Sequence, residues 1–185
     1  MRGNDTMPAP TTADERAASR WRISLHEGGH AIAGRRLLKQ TARAVVYDDN
    51  CGAAYVGNGV EARSFEESLT IAAGPAAEAL AVDVAPPAVP PAPPLEVTYG
   101  EKAAFIKNDI RESLPDPVVI ARWCIAGIEK EPDRWAKRFY WLRCEAEMFV
   151  AAHKQAIVRA ATDLFTRGII TLPAEPAQKG IEHVD

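Results

Sequence analysis

Two histidines four residues apart, with a glutamate directly after the first, occur in Leu25-His26-Glu27-Gly28-Gly29-His30-Ala31. On a helix this spacing aims both imidazoles at one point in space. Such a pair suits Zn²⁺, whose catalytic sites take three protein ligands and keep a fourth position open for water. Glu27, about 100° around the helix from His26, can touch that water without binding the metal. This is the residue set of a zinc-activated hydrolase with Glu27 as general base. The competing reading is a pair of hydrogen-bonded core histidines, the usual state of histidine on an apolar helix face. The flanks favour the metal. From Leu25 to Gly34 the only ionisable groups are the three motif residues, so the helix is expected to be buried, and buried His and Glu need partners. Gly28 and Gly29 each cost roughly 1 kcal/mol relative to Ala inside a helix. Close approach of another backbone or of a substrate would account for them.

A third ligand must come from elsewhere. The candidates are Glu66, Glu67, Glu78, Asp83, Asp109, His153 and His183. Glu78 lies in the small-residue stretch Ala73-Gly74-Pro75-Ala76-Ala77-Glu78-Ala79-Leu80, where a carboxylate would be closely enclosed, and Asp109 lies in Lys107-Asn108-Asp109-Ile110. Three ordered segments, His26 to Gly34, Ala73 to Glu78 and Asn108-Asp109-Ile110, together resemble the peptidase domain of the FtsH-type ATP-dependent zinc metalloproteases. The resemblance runs from about Arg16 to Leu172. It implies a mainly helical zinc-metallopeptidase fold with a small β-hairpin, Asp109 as the third zinc ligand beside His26 and His30, and Glu78 as a carboxylate that supports the site without binding the metal. A carboxylate accepting a proton from a ligand histidine fixes its tautomer and raises its basicity, which suits Glu78. The reverse arrangement, with Glu78 on the metal and Asp109 in support, is also open.

The chain departs from that family in two ways. It carries neither a Gly-x-x-x-x-Gly-Lys-Ser/Thr loop for an ATPase nor an apolar run of the roughly 20 residues that span a bilayer. The family's Gly-Gly-Arg is here Ala73-Gly74-Pro75, and a proline there kinks the helix or marks its start.

The elements that must position these residues announce themselves by their ends. Thr12 with Glu15, Ser64 with Glu67 and Thr98 with Glu101 have capping-box spacing, so helices are expected just after each. Asp116-Pro117 reads as a fourth start, with Asp as cap, and Pro132 as a fifth. Ala42 to Asp48 and Ala53 to Gly59 flank Asp49-Asn50-Cys51-Gly52 as a hairpin. Residues 85–94, Ala-Pro-Pro-Ala-Val-Pro-Pro-Ala-Pro-Pro, form a stiff polyproline loop. After Pro132, apolar residues at Trp135, Phe139, Leu142, Ala146, Phe149, Ile157, Ala160 and Leu164 keep helical steps up to a C-cap at Gly168. That is one long helix, or two with a break. His153 falls on the same stripe as packing, Phe139-Tyr140-Trp141 reads as core and rim, and Ile169 to Leu172 packs against the body. Residues 1–12 and 173–185 are expected to be a disordered N-terminal tail and a polar C-terminal tail around a single domain at 13–172.

At 185 residues and net charge −3, with no basic stretch interleaved with aromatics, the composition is that of a globular domain and speaks against nucleic acid. Without an apolar leader or span, and with Cys51, Cys124 and Cys144 scattered rather than paired, the chain reads as soluble and cytoplasmic with free thiols, away from membranes. The expectation is a zinc-dependent endopeptidase that cleaves unfolded or flexible polypeptides without ATP, as a homo-oligomer or served by a separate unfoldase or adaptor. Two other readings are a regulatory protease that cuts one partner and a non-catalytic binding module that keeps the fold.

Overall fold

The computed structural model describes residues 12–48, 51–57, 63–94 and 116–175. Thr12 opens α1 (Ala13–Leu37) with a complete capping box: its hydroxyl accepts from the Glu15 N–H at 3.1 Å, and the Glu15 carboxylate accepts from the Thr12 N–H at 3.0 Å. Ser64 and Glu67 repeat the device at 3.1 and 3.0 Å ahead of α2 (Phe65–Glu78). Satisfying the otherwise unpaired first-turn N–H groups in this way fixes where both helices begin. Pro75 lies inside α2 rather than at its start, with its ring on the exposed side of the helix, and it costs the helix the N–H that would pair with the Ile71 carbonyl. A 3₁₀ turn (Ala79–Val82) follows. The expected start at Thr98 with Glu101 lies outside the described residues.

Helices α3 (Asp116–Ile125) and α4 (Pro132–Arg167) begin at the two proline signals. Of the two forms expected for the last helix, the unbroken one is found: α4 runs for 36 residues, about 54 Å at 1.5 Å per residue. It stops at Gly168, whose φ of 78° is left-handed and whose N–H returns to the Leu164 carbonyl at 2.8 Å. A side chain there would be strained, which is why glycine ends the helix.

Strands β1 (Ala42–Asp48), β2 (Cys51–Val56) and β3 (Ile169–Leu172) form one antiparallel sheet in the order β2-β1-β3. The second strand begins at Cys51 and ends at Val56, earlier at both ends than the expected Ala53 to Gly59. A bulge at Tyr47 accounts for the earlier start: Val46 opposes Gly52 and Asp48 opposes Cys51, so one extra residue on β1 lets pairing continue into the turn. The earlier end follows because Val56 opposes Ala42, the first residue of β1, and Gly57 turns away at a φ of 53°. The expected hairpin is also one strand short of the sheet, because Ile169 to Leu172 pairs with Val45 to Ala42. The left-handed turn at Gly168 sends the chain directly back along β1, and Val46 N–H donates to the Gly168 carbonyl at 2.8 Å.

Two apolar clusters hold the elements together. The first joins Trp21, Leu25 and Ile32 of α1 and Val46 and Val56 of the sheet to Phe149, Ile157, Leu164 and Phe165 of α4. The second joins Leu69 and Ala72 of α2 and Ile120 and Cys124 of α3 to Leu142 and Ala146 of α4. The long helix therefore serves both. Its first turns depart from the expected stripe: Trp135 is 36% exposed, Phe139 47%, Tyr140 68% and Trp141 47%. None of these is core, because the helix outruns the body that covers it among the described residues. Trp141 stacks on Phe65 at 4.6 Å between ring centroids, and His153 packs edge-on against Phe149 at 4.5 Å, as expected. Residues 85–94 adopt neither helix nor strand; Trp21 Nε1 donates to the Val84 carbonyl just before them at 2.7 Å, and Ala92 N–H donates to the Phe165 carbonyl at 2.8 Å. No helix among the described residues is long and apolar enough to cross a membrane.

Candidate metal centre

Between Leu25 and Gly34 every residue of α1 except His26 and His30 is buried, as the composition of that stretch requires. Helix α2 crosses α1 at Gly29, where an added Cβ would lie 2.6 Å from the Ala73 carbonyl oxygen. At Gly28 it would lie 3.4 Å from Ala161 N and Ile157 O of α4. The paired glycines thus have the close backbone approach their cost implied. Gly74 of α2 in turn faces the His30 ring, and a Cβ there would overlap Nε2.

This packing fixes both imidazoles. His30 Nδ1 lies 2.9 Å from the Thr70 carbonyl; a carbonyl only accepts, so the proton sits on Nδ1 and Nε2 is the atom presented to the site. His26 Nδ1 lies 3.4 Å from Glu78 Oε2, and the other oxygen of Glu78 accepts from Arg22 Nη2 at 2.5 Å. Glu78 therefore stands behind His26, at the nitrogen turned away from the centre. The two Nε2 atoms are 3.1 Å apart.

Asp116, the first residue of α3, closes the group. Its Oδ2 lies 3.1 Å from His26 Nε2 and 3.0 Å from His30 Nε2. His26, His30 and Asp116 are the group among the described residues that could hold a metal ion. Ligands about 2.0–2.1 Å from a tetrahedral zinc stand roughly 3.3 Å apart. The observed triangle is within a few tenths of an ångström of that, with nitrogen and carboxylate donors of the right type. Asp109 and His183 lie outside the described residues, whereas Glu66, Glu67, Asp83 and His153 are described and do not join the group. Glu67 is occupied in its cap and His153 in packing.

Glu27 is 7% exposed and packs against Gly52 of β2, where a Cβ would lie 2.8 Å from Glu27 Cγ and 3.0 Å from Oε1. A carboxylate is thus enclosed beside the two histidines on a helix already committed to presenting them.

Electrostatics bind the group without any metal. Burial opposes the charged form of His30, but the hydrogen bond and charge of Asp116, then the charge of Glu27 and the Thr70 carbonyl, outweigh it and raise His30 to about 9. Burial likewise opposes ionisation of Asp116, and its hydrogen bonds to His26 and His30 outweigh that and hold the carboxyl well below the usual range. Metal-free, His30 and Asp116 are an ion pair.

Sequence reasoning brought out His26, Glu27, His30 and Glu78 but read Asp116 as a helix cap. An Asp before a Pro at a helix start carries that meaning in most chains. Only the fold, which packs α3 on α2 and α4 so that the Asp116 side chain reaches both histidines, gives the carboxylate another use. Comparison with family models, with curated proteins and with solved structures finds no match for this chain.

Proposed function

We propose that this chain is a zinc-dependent endopeptidase acting without ATP on unfolded or flexible polypeptides. The observation that carries the reading is the triangle of His26 Nε2, His30 Nε2 and Asp116 Oδ2, with sides of 3.0 to 3.1 Å, next to an enclosed Glu27. His26, His30 and Asp116 would hold the metal. When bound, zinc polarises a carbonyl and makes a water acidic near neutral pH. Glu27 takes the proton of the attacking water and returns it to the leaving amine. Glu78 and the Thr70 carbonyl stand at the Nδ1 atoms of His26 and His30, and a proton held there would leave both Nε2 atoms free to bind a metal. Peptide bonds are favoured as substrate by the resemblance to the FtsH-type peptidases. Strand β2, which is the edge of the sheet among the described residues and lies beside Glu27, adds support, since an extended chain can pair with such an edge regardless of its sequence.

Elemental analysis is expected to find one zinc per chain in the wild type, lost in His30→Ala and Asp116→Ala and kept in Glu27→Gln. Cleavage of a reduced, unfolded protein substrate by Glu27→Gln should fall by roughly 10²- to 10⁴-fold. Zinc kept by Asp116→Ala but lost by Asp109→Ala would transfer the third ligand to Asp109, as the resemblance implies.

A second reading, a binding module that keeps the arrangement without turnover, draws on the His30–Asp116 ion pair, which satisfies both groups in the absence of metal. Folded wild type that takes up no zinc on reconstitution would favour it.

A further inference from the structure

We propose that Gly52 is a positioning residue for Glu27: the bare position it leaves on β2 is the space the Glu27 side chain occupies. Strand β2 and α1 meet along a complementary seam. Gly52, Ala54 and Val56 alternate onto the face of β2 that meets α1. At one end Val56 fills the space that a side chain at Gly34 would take. At the other the roles reverse, and Glu27 and Ile23 fill the space at Gly52, with a Cβ there meeting Ile23 Cγ2 at 2.7 Å, Glu27 Cγ at 2.8 Å and Glu27 Oε1 at 3.0 Å. A large side chain meets glycine at each end. The seam has one register, because a one-residue slip would turn Cys51 or Ala53 toward Glu27.

The bulge at Tyr47 lies opposite this point, between the Val46–Gly52 and Asp48–Cys51 pairs. Bulges re-aim a strand locally, and this one sets which residue of β2 faces the carboxylate. The three nearest atoms that a Cβ at Gly52 would meet belong to Ile23 and Glu27, and none to His26, His30 or Asp116, so the glycine bears first on the base. The catalytic consequence rests on the peptidase reading; the steric dependence does not.

The test is a double-mutant cycle on the metal-free chain, in an Ile23→Ala background that removes the other side chain a Cβ at 52 would meet. Unfolding constants are measured for the parent, Gly52→Ala, Glu27→Ala and the double variant. Gly52→Ala should raise the unfolding constant roughly tenfold or more when Glu27 is present, and by much less when residue 27 is alanine. If Gly52→Ala fails to fold alone but folds together with Glu27→Ala, that rescue is the same result. Equal effects in the two backgrounds, or failure to fold in both, overturn the proposal. Zinc content separates this from the metal reading: Gly52→Ala should keep whatever zinc its parent binds, and loss of zinc on that substitution alone would also overturn it. A parent that binds no zinc refutes the metal centre, while the unfolding cycle still decides the role of Gly52. Where cleavage is measurable, Gly52→Ala should lower kcat and leave KM unchanged.

Discussion

His30 depends on Gly74 as directly as on its own hydrogen bonds, because a methyl group at that position would occupy the place of Nε2. Gly74→Ala is therefore expected to displace the ring and weaken zinc binding on the order of 10–100-fold, measurable by competition with a chromophoric chelator; unchanged affinity would mean that α2 yields instead. The His30–Asp116 pair gives a pH signature of opposite sign with and without metal. His30 sits at about 9 in the folded chain, above its ordinary value of about 6.5, so its contribution to stability is complete below about 6.5 and is lost as pH rises through about 9. The carboxyl of Asp116 is held low, so its contribution is present above the ordinary aspartate value of about 3.9 and fades only as pH falls through its depressed one. Metal-free protein should accordingly melt higher at about pH 6 than at about pH 9.5. Zinc must displace the His30 proton, so its affinity should rise over the same interval; parallel rather than opposed profiles would refute the exchange of ion pair for metal. At this scale the spacing of His26 and His30 made the chemistry legible, whereas Glu78 was one candidate among several until the family resemblance gave it a supporting role; its side chain is part-exposed rather than enclosed. Asp116 was not legible, since a carboxylate at a helix start has a sufficient local use.

Among the elements, α2 carries the heaviest positional duty. It supplies the Thr70 carbonyl, the bare surface at Gly74 and the carboxylate of Glu78, and its start is set by Ser64. Ser64→Ala should cost about 1 kcal/mol of stability, read from chemical denaturation, because the Glu67 N–H loses its acceptor. A change near zero would show that water replaces the hydroxyl. Caps made the starts of α1 and α2 readable from sequence, and Gly168 the end of α4. Strand ends were less readable because the bulge at Tyr47 depends on pairing across the sheet. The exposed Trp135 and Phe139 mark the same limit in α4, since periodicity tells which face is apolar and not whether anything covers it.

Across the whole molecule the two apolar clusters divide the work of holding the centre. The first fixes α1 and the sheet, and so His26, Glu27 and His30; the second fixes α3 against α2 and α4, and so Asp116. Leu142 is 1% exposed in the second cluster and Leu164 is fully buried in the first. Each changed to Ala should cost about 2–5 kcal/mol. Only Leu142→Ala is expected to weaken zinc binding strongly as well, through loosening of α3. Calorimetric titration of both variants checks this, and equal losses of affinity would show that the clusters act as one.

The sequence by itself determined what is local: the helix that presents His26, Glu27 and His30, the caps, the start of α4 at Pro132 and its stop at Gly168, and the small residues that permit close approach. These follow from hydrogen bonds and side-chain spacing within a few residues along the chain. Tertiary structure decided which distant groups meet, namely Asp116 with the histidines, Glu78 behind His26, Gly52 against Glu27 and β3 beside β1. Such meetings depend on how helices cross and strands pair, and that geometry is set by packing the whole core at once.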